Sequence, residues 1–168
     1  MVKDPNLEAA KLRKKAGGNT LPVPVEIIAK SEGIRIETVP LDDEISGMSF
    51  IKEGLSVIIV NSNHHINRRR FTIAHELGHH ILHGDYLNNN VHVDKAILRR
   101  DSLSSEATDS KEIAANQFAA ELLMPSSELN HWNKVDINDD SEVQALAKRL
   151  KVSAAALTYR LINLGKTK

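Results

Sequence analysis

The stretch RRRFTIAHELGHHILH, residues 68–83, contains the pattern H-E-x-x-H, which constrains the fold more than any other part of the sequence. On an α-helix, residues four positions apart lie on one face, one turn apart. His75 and His79 can therefore direct two imidazole rings at one metal ion, and Glu76 beside them can serve as a general base. The pattern predicts a helix over Asn67–His83. Its apolar stripe seats this helix in a core, and consists of Phe71, Ala74, Gly78, Ile81 and Leu82.

Composition limits the class of protein in which this helix can occur. The 168 residues are 41% hydrophobic and 26% charged, which is typical of a globular chain, and we expect one domain over residues 1–168. Because 22 basic residues balance 22 acidic ones, we expect no general attraction to nucleic acid or to an anionic membrane. The absence of cysteine excludes disulfides and thiolate ligands. No stretch has the apolar length of a membrane span, so we expect a cytoplasmic protein.

The order of the predicted elements indicates an α+β fold. Residues 1–20 form an N-terminal helix, residues 21–125 contain a sheet and the helices of the metal site, and residues 141–165 form a C-terminal helix pair. The sheet is mixed or antiparallel, has about three strands and packs on the H-E-x-x-H helix. Two of its strands form a hairpin, ISGMSFI and LSVIIVNS, around Lys52-Glu53-Gly54. Residues 84–111 are polar and irregular, which is typical of a functional loop.

A catalytic zinc site needs a third protein ligand besides the two histidines. Asp85 lies six positions after His79, but a ligand there needs a glycine to turn the backbone, and the sequence has Leu82 instead. Glu112 is the better candidate because it opens the helix EIAANQFAAELLMP, whose small side chains permit close packing on another helix. It would complete a His-His-Glu site. Asn116, one turn later, could either orient this carboxylate or cap a hydrogen bond.

The C-terminal residues 141–165 have the spacing of a helix-turn-helix, which would permit DNA binding. The second helix, however, offers only Thr158, Tyr159 and Arg160 to bases or phosphates. We therefore favour a structural or partner-docking role for this pair and expect no direct binding to nucleic acid. We also expect the run Arg68–Arg70 to be a solvated helix entry and Glu121, on the face opposite to Glu112, to be solvated.

The motifs together resemble the ImmA/IrrE family of metallo-endopeptidases. The resemblance extends over roughly residues 5–165, and lies in RRRFTIAHELGHHILH, in LRRDSLSSEATDSKEIAANQFAAELLMP and in their order. It implies a small zincin-like domain in which His75, His79 and Glu112 bind Zn²⁺ and Glu76 is the general base. Ala114 departs from the acidic or amide residue that the family often has two positions after the glutamate.

The resemblance also implies an activity and a class of substrate. Family members typically cleave a helix-turn-helix repressor or a similar regulator, often in mobile elements or stress responses. The alternatives are a partner-binding protein that does not cleave and a DNA-binding regulator, and the intact HELGH favours cleavage. A donor for the oxyanion stays open among Tyr86, His80, His83 and His92. An extended substrate could pair with an edge of the sheet over Ile45–Val60.

Overall fold

The structure, a computed structural model, describes residues 3–18, 20–95, 106–131 and 135–167. These residues form a mixed sheet and seven helices, so the α+β class is as predicted. The strands are β1 (Ile34–Val39), β2 (Ile45–Lys52), β3 (Leu55–Asn61) and β4 (His92–Lys95). The helices are α1 (Pro5–Lys15), α2 (Val25–Ser31), α3 (Ile66–Leu87), α4 (Glu106–Leu123), α5 (Ser126–Leu129), α6 (Asp140–Leu150) and α7 (Ala154–Asn163).

The sheet has the order β1-β3-β2-β4, with β1 parallel to β3 and with β2 antiparallel to both β3 and β4. The predicted hairpin is present as β2 and β3, and Lys52 pairs with Leu55 across a two-residue turn. Both turn residues have positive φ, 53° at Glu53 and 79° at Gly54, which matches the twist of the two strands. The prediction of about three strands was wrong by one, because β4 covers the free edge of β2.

Strand β4 lies inside the segment predicted to be an irregular loop, residues 84–111. Its four residues are too few to give a recognisable alternation, and their strand conformation depends on pairing with β2. The loop prediction was also wrong at both ends, since α3 continues to Leu87 and α4 begins at Glu106. Residues 96–105, the middle of the predicted loop, lie outside the described residues.

Helix α3 extends beyond the predicted range Asn67–His83 at both ends. The His65 side chain accepts a hydrogen bond from the Asn67 backbone N–H and so caps the N-terminus. The helix passes Leu82 without a break, as expected, but His83 has non-helical angles of φ −131° and ψ 30°. The helix is therefore kinked one residue after Leu82 and continues to Leu87.

The core is one continuous cluster of buried apolar side chains that reaches from α1 to α7. Ala9 of α1, Leu77 of α3, Phe118 of α4 and Leu157 of α7 are all fully buried in it. Burial of such side chains supplies the main stabilisation of the fold, about 1.5–3 kcal/mol for each large one. Among the described residues, no helix has the length and apolar character needed to cross a membrane.

Two charged residues that were predicted to be solvated are buried instead. Arg70 donates hydrogen bonds to the backbone oxygens of Val23 and Lys151, at 2.8 and 3.3 Å, and so connects α3 to two other parts of the chain. Glu121 accepts a hydrogen bond from Arg160 of α7. Neither contact could be predicted from sequence, because each partner lies at least 39 positions away.

Candidate metal centre

One face of α3 packs along β2 and fixes the position of Glu76. The contacts follow the four-residue period of the helix. Arg68 donates to Ser46 Oγ at 3.0 Å, Thr72 lies against Gly47, and Glu76 Oε2 accepts from Ser49 Oγ at 2.5 Å. A Cβ atom at Gly47 would lie 2.6 Å from Thr72 Cγ2 and 2.7 Å from the Ile59 backbone oxygen, so this close approach requires glycine.

An adjacent face of α3 packs against α4 at the glycine of HELGH. A Cβ atom at Gly78 would lie 3.2 Å from Ala115 Cα and 3.2 Å from the Phe118 ring, closer than most side chains tolerate. The absence of a side chain at Gly78 therefore lets the two helix axes approach. This approach brings Glu112, at one end of the described side chains of α4, to the two histidines of α3.

Four side chains, His75, His79, His92 and Glu112, form what we call the donor cluster. Their ligand atoms all lie within 4.8 Å of one another. The Nε2 atoms of His75 and His79 are 3.1 Å apart, and each lies 3.2 Å from a different oxygen of Glu112. Both histidines are buried, whereas the Glu112 side chain is 33% exposed, so the cluster is reached from the Glu112 side.

The hydrogen bonds around His75 prepare its ring for a metal. Its Nδ1 lies 3.0 Å from Asn116 Oδ1, and an oxygen there can only accept, so Nδ1 carries the proton. In the neutral ring the lone pair is then on Nε2, the atom that faces Glu112, and in the protonated ring Nε2 donates to Glu112 instead. Asn116 was expected either to orient the Glu112 carboxylate or to cap a hydrogen bond, but its amide oxygen contacts His75 instead. Orientation of a metal-binding histidine by such a partner is a common feature of metal sites.

Strand β4 contributes two residues to this site: His92, which the sequence offered only as one of four possible oxyanion donors, and Asp94, which was not predicted. His92 and Asp94 lie two positions apart and therefore on the same face of the strand. They pair with Ser49 and Gly47 of β2, two of the residues that contact α3. His92 joins the donor cluster, and the Asp94 carboxylate lies within 4.8 Å of ligand atoms of His75 and Glu76. The alternation in H-V-D-K was a signal for this arrangement, but four residues made it weak.

The other sequence candidates lie outside the donor cluster. Asp85 is exposed and is not among the clustered groups. The His80 ring lies 3.3 Å from the Val57 backbone oxygen, against the sheet. The His83 ring centroid is 5.7 Å from that of His79. Tyr86 is 37% exposed, and Lys111 Nζ lies 4.1 Å from the centre of its ring.

The surroundings shift the pKa values of Glu112, in the donor cluster, and of Glu76, beside it, in opposite directions. Burial raises the pKa of Glu76 to about 7, although the charge of His75 and the hydrogen bond from Ser49 favour the ionised form. Burial also acts to raise the pKa of Glu112, but hydrogen bonds from His75 and His79 outweigh it and hold this pKa well below its usual range. Glu112 is therefore ionised at neutral pH, while Glu76 exchanges a proton near it.

The pKa values of the three histidines in the donor cluster also shift in different directions. Burial lowers the pKa of His79 to about 3 and lowers the pKa of His92, so both rings are neutral at pH 7. Burial acts to lower the pKa of His75 as well, but the hydrogen bond to Glu112 and the charges of Glu76 and Asp94 raise it above its usual value. Strongly perturbed groups in one place are typical of functional sites.

The donor cluster fits a divalent transition metal. Imidazole nitrogens with one carboxylate suit zinc and similar ions, and catalytic His-His-Glu zinc sites use this set. Around a tetrahedral zinc with bonds of about 2.0–2.1 Å, neighbouring ligand atoms are about 3.3 Å apart. The distances of 3.1 and 3.2 Å among His75, His79 and Glu112 agree with this spacing. Each histidine reaches a different oxygen of Glu112, and these residues could together hold a divalent metal ion.

Comparison with known proteins gives a family and two relatives. The family model Peptidase_M78, described as the IrrE N-terminal-like domain, matches residues 29–162. The radiation response metalloprotease IrrE of Deinococcus radiodurans is 34% identical over 108 residues, which are 63% of this chain and 30% of that protein. Uncharacterized immunity region protein 2 of Bacillus phage phi105 is 30% identical over 109 residues, which are 64% of this chain and 63% of that protein.

A solved structure supports the fold. A protein described as a Mycobacterium tuberculosis transcriptional regulator superposes with a TM-score of 0.63 at 20% sequence identity. The match covers 94% of this chain and 46% of that chain. At this identity the likeness shows the architecture alone. The chain thus spans less than two thirds of the length of each of these three proteins.

Proposed function

The chain belongs to the Peptidase_M78 family of IrrE N-terminal-like domains, the ImmA/IrrE metallopeptidases, and on this premise we propose that it is a zinc-dependent endopeptidase. In this proposal His75, His79 and Glu112 are the zinc ligands and Glu76 is the general base. Residues 1–168 act as one catalytic domain, which is supported by the single apolar core that joins α1 to α7 in the described residues. The substrate is a protein, and the C-terminal helix pair belongs to the scaffold.

The observation that carries this proposal is the position of Glu112. It comes from a different helix, 33 positions after His79 in the sequence, yet its two oxygens lie 3.2 Å from the Nε2 atoms of His75 and His79. The approach of α4 at Gly78 produces this geometry. A carboxylate between two buried imidazoles has no structural advantage over an apolar contact, because desolvation of the charge is costly. A metal ion at this point accounts for the arrangement.

In the proposed hydrolysis of a peptide bond, Glu76 carries out both proton transfers. Zinc, when bound, supplies Lewis acidity toward the scissile carbonyl and lowers the pKa of water. Ser49 holds one oxygen of Glu76, and the other, Oε1, is buried without a hydrogen-bond partner among the described residues. Oε1 is therefore free to accept the proton of the attacking water and to pass it to the leaving amine. A pKa of about 7 suits both transfers at neutral pH.

The substrate class rests on the relatives and on the shape of the sheet. We propose a helix-turn-helix regulator as substrate, supported by the immunity-region relative and by the naming of the D. radiodurans protein as a radiation response metalloprotease. The predicted docking edge was wrong, because β1 covers β3 and β4 covers β2. Among the described residues β4 is an edge strand beside the donor cluster, and we propose it as the edge that pairs with an extended substrate.

The alternative of DNA reading by α7 is disfavoured by the engagement of its main charged residue. Arg160 is paired with Glu121, and its Nε donates to the Met124 backbone oxygen at 3.2 Å, so the guanidinium is directed into the protein. Tyr159, 70% exposed, is left as an aromatic contact on that helix. The helix pair α6 and α7 is therefore better suited to supporting α4 than to recognising DNA bases.

Metal content measured by elemental analysis tests the proposal, with Glu112→Ala and Asp85→Ala beside the wild-type chain. We expect zinc in equimolar amount with the wild-type chain and with Asp85→Ala, and its loss with Glu112→Ala. The loaded protein should cleave a helix-turn-helix regulator, and Glu76→Gln should not. Failure of the wild-type chain to take up zinc on titration would refute the peptidase and leave a binding protein on a peptidase scaffold.

A further inference from the structure

His92 has no role in a three-ligand site, yet β4 directs its side chain into the donor cluster. It is opposite Ser49 in the pairing of β4 with β2, so it shares the sheet face that packs on α3. The residue is 8% exposed. Its ring centroid lies 3.9 Å from that of His79 and 5.9 Å from that of His75. The imidazole is thus enclosed by the residues proposed to bind zinc.

The Nε2 atom of His92 points at the same place as the other donors. It lies 3.3 Å from Glu112 Oε1 without the geometry of a hydrogen bond. Among the described residues, this buried nitrogen has no hydrogen-bond partner at all. A buried polar atom left without a partner costs free energy, about 1–3 kcal/mol, and points to a ligand at this position.

The spacing identifies what this ligand would be. A tetrahedral zinc with bonds of about 2.0–2.1 Å sets its ligand atoms about 3.3 Å apart. The contact of His92 Nε2 with Glu112 Oε1 is 3.3 Å, close to the spacing within the His-His-Glu set, and all four groups fall within 4.8 Å of one another. His92 Nε2 is therefore near enough to the other three donors to supply a fourth ligand, where a catalytic site would keep its open position.

Building on the proposed zinc site, we propose that His92 is a fourth protein ligand that closes the metal centre in the resting protein. The centre then has three imidazoles and one carboxylate, the coordination number of a structural site rather than a catalytic one. Cleavage requires His92 to leave its corner. Its location suits such a movement, because β4 is only four residues long and pairs with β2 through an irregular register near Ile45 and Gly47.

The test compares two histidine variants of the full chain, His92→Phe and His83→Phe. His83 is a matched control because its Nε2 is also buried without a partner and its ring is also near His79, but it lies outside the donor cluster. Zinc affinity is measured by competition with a chromophoric chelator. The visible absorption spectrum of the cobalt-loaded protein reports the donor set and the coordination geometry. Circular dichroism checks that each variant is folded, and His92→Gln replaces His92→Phe if the latter is not.

We expect His92→Phe to bind zinc at least about tenfold more weakly, since even groups behind the ligands typically contribute tenfold or more. Its cobalt spectrum should differ from that of the wild-type chain, and both properties should be unchanged in His83→Phe. Wild-type affinity and an unchanged cobalt spectrum in His92→Phe, together with loss of metal in Glu112→Gln, would overturn the fourth ligand and leave the peptidase proposal intact. Absence of metal binding by the wild-type chain would overturn both.

Discussion

Two carboxylates of α4, one in each half of the helix, lie in opposite situations. Glu112, near the start, lies among three histidines, and the surrounding donor atoms all point at a common position. Glu121, nine positions later, is bound by Arg160 and accepts from both Ser126 N and Ser126 Oγ. We call this second group, Glu121, Ser126 and Arg160, the Arg160 cluster. The same helix thus carries one polar group whose members lack some hydrogen-bond partners and another whose members have them all.

The difference shows how a functional site is distinguished from a structural one when each contains a carboxylate among buried polar groups. In the Arg160 cluster the opposite charges are matched and Glu121 has hydrogen bonds to both oxygens. In the donor cluster and beside it, His92 Nε2, His79 Nδ1 and Glu76 Oε1 are buried without hydrogen-bond partners among the described residues. A buried polar group whose atoms all have hydrogen-bond partners is expected to stabilise the fold. A buried polar group with atoms that lack partners is expected to bind a ligand or take part in a reaction.

The largest expected effect is that of Glu76→Gln on cleavage. The amide keeps the shape of the side chain but cannot accept a proton, so we expect kcat to fall by about 10²–10⁴-fold. Zinc content should stay at the wild-type level, because Glu76 is not among the proposed ligands. Asp85→Asn is the control, an exposed acid that should leave both kcat and zinc content unchanged. A Glu76→Gln protein with full activity would remove Glu76 from the reaction.

The part of this site that could be predicted consists mainly of residues that lie on one helix. His75, Glu76 and His79 take their relative positions from the helical period alone, without knowledge of any other element. Glu112 followed because small residues after it indicated close packing on a second helix. The predicted helix and hairpin were correct for the same reason, since short-range patterns determine them.

What could not be predicted depends on long-range pairing. His92 and Asp94 reach the site only because a four-residue strand pairs with β2, more than 40 positions earlier in the chain. Glu121 and Arg160, 39 positions apart, meet only when α7 packs beside α4. From the sequence, His92 was open only as an oxyanion donor, Arg160 only as a contact for nucleic acid, and Glu121 was expected to be solvated. Their burial is a property of the assembled fold rather than of any local segment.

Arg160→Met should affect stability about as strongly as Glu76→Gln affects the reaction. Removal of one partner leaves Glu121 buried without its counter-charge, and such losses cost about 3–5 kcal/mol of unfolding free energy. Chemical denaturation measures this, and zinc affinity of the folded protein should not change. The control is Lys11→Met, which removes an exposed pair with Glu8 and should cost less than about 1 kcal/mol. A loss of zinc affinity in Arg160→Met would show that the two ends of α4 are coupled.

In the metal-free protein, the pH dependence of the unfolding free energy should reveal the raised pKa of Glu76. The pKa of Glu76 is raised from 4.5 to about 7, so its stabilising contribution is complete below pH 4.5 and is lost as the pH rises through 7. Each pKa unit corresponds to about 1.4 kcal/mol, which gives about 3 kcal/mol in total. Between pH 4.5 and 8, Glu76→Gln should therefore gain about 3 kcal/mol of stability relative to the wild-type chain. Equal pH profiles for the two proteins would contradict the buried, protonated Glu76.

The smallest expected effect, and the most specific, is that of Gly47→Ala beside Gly84→Ala. The added methyl at Gly47 collides with Thr72 and with the Ile59 backbone oxygen, which cannot move without disturbing the β2–β3 hairpin. Overpacking of this kind costs about 1–3 kcal/mol, and it should also lower kcat because the displaced α3 carries Glu76. A methyl at Gly84 meets no atom within 4 Å, so this variant should keep wild-type activity and gain up to about 1 kcal/mol from helix propensity. If Gly47→Ala loses stability but keeps full kcat, then the spacing of α3 and β2 holds the fold together without positioning the general base.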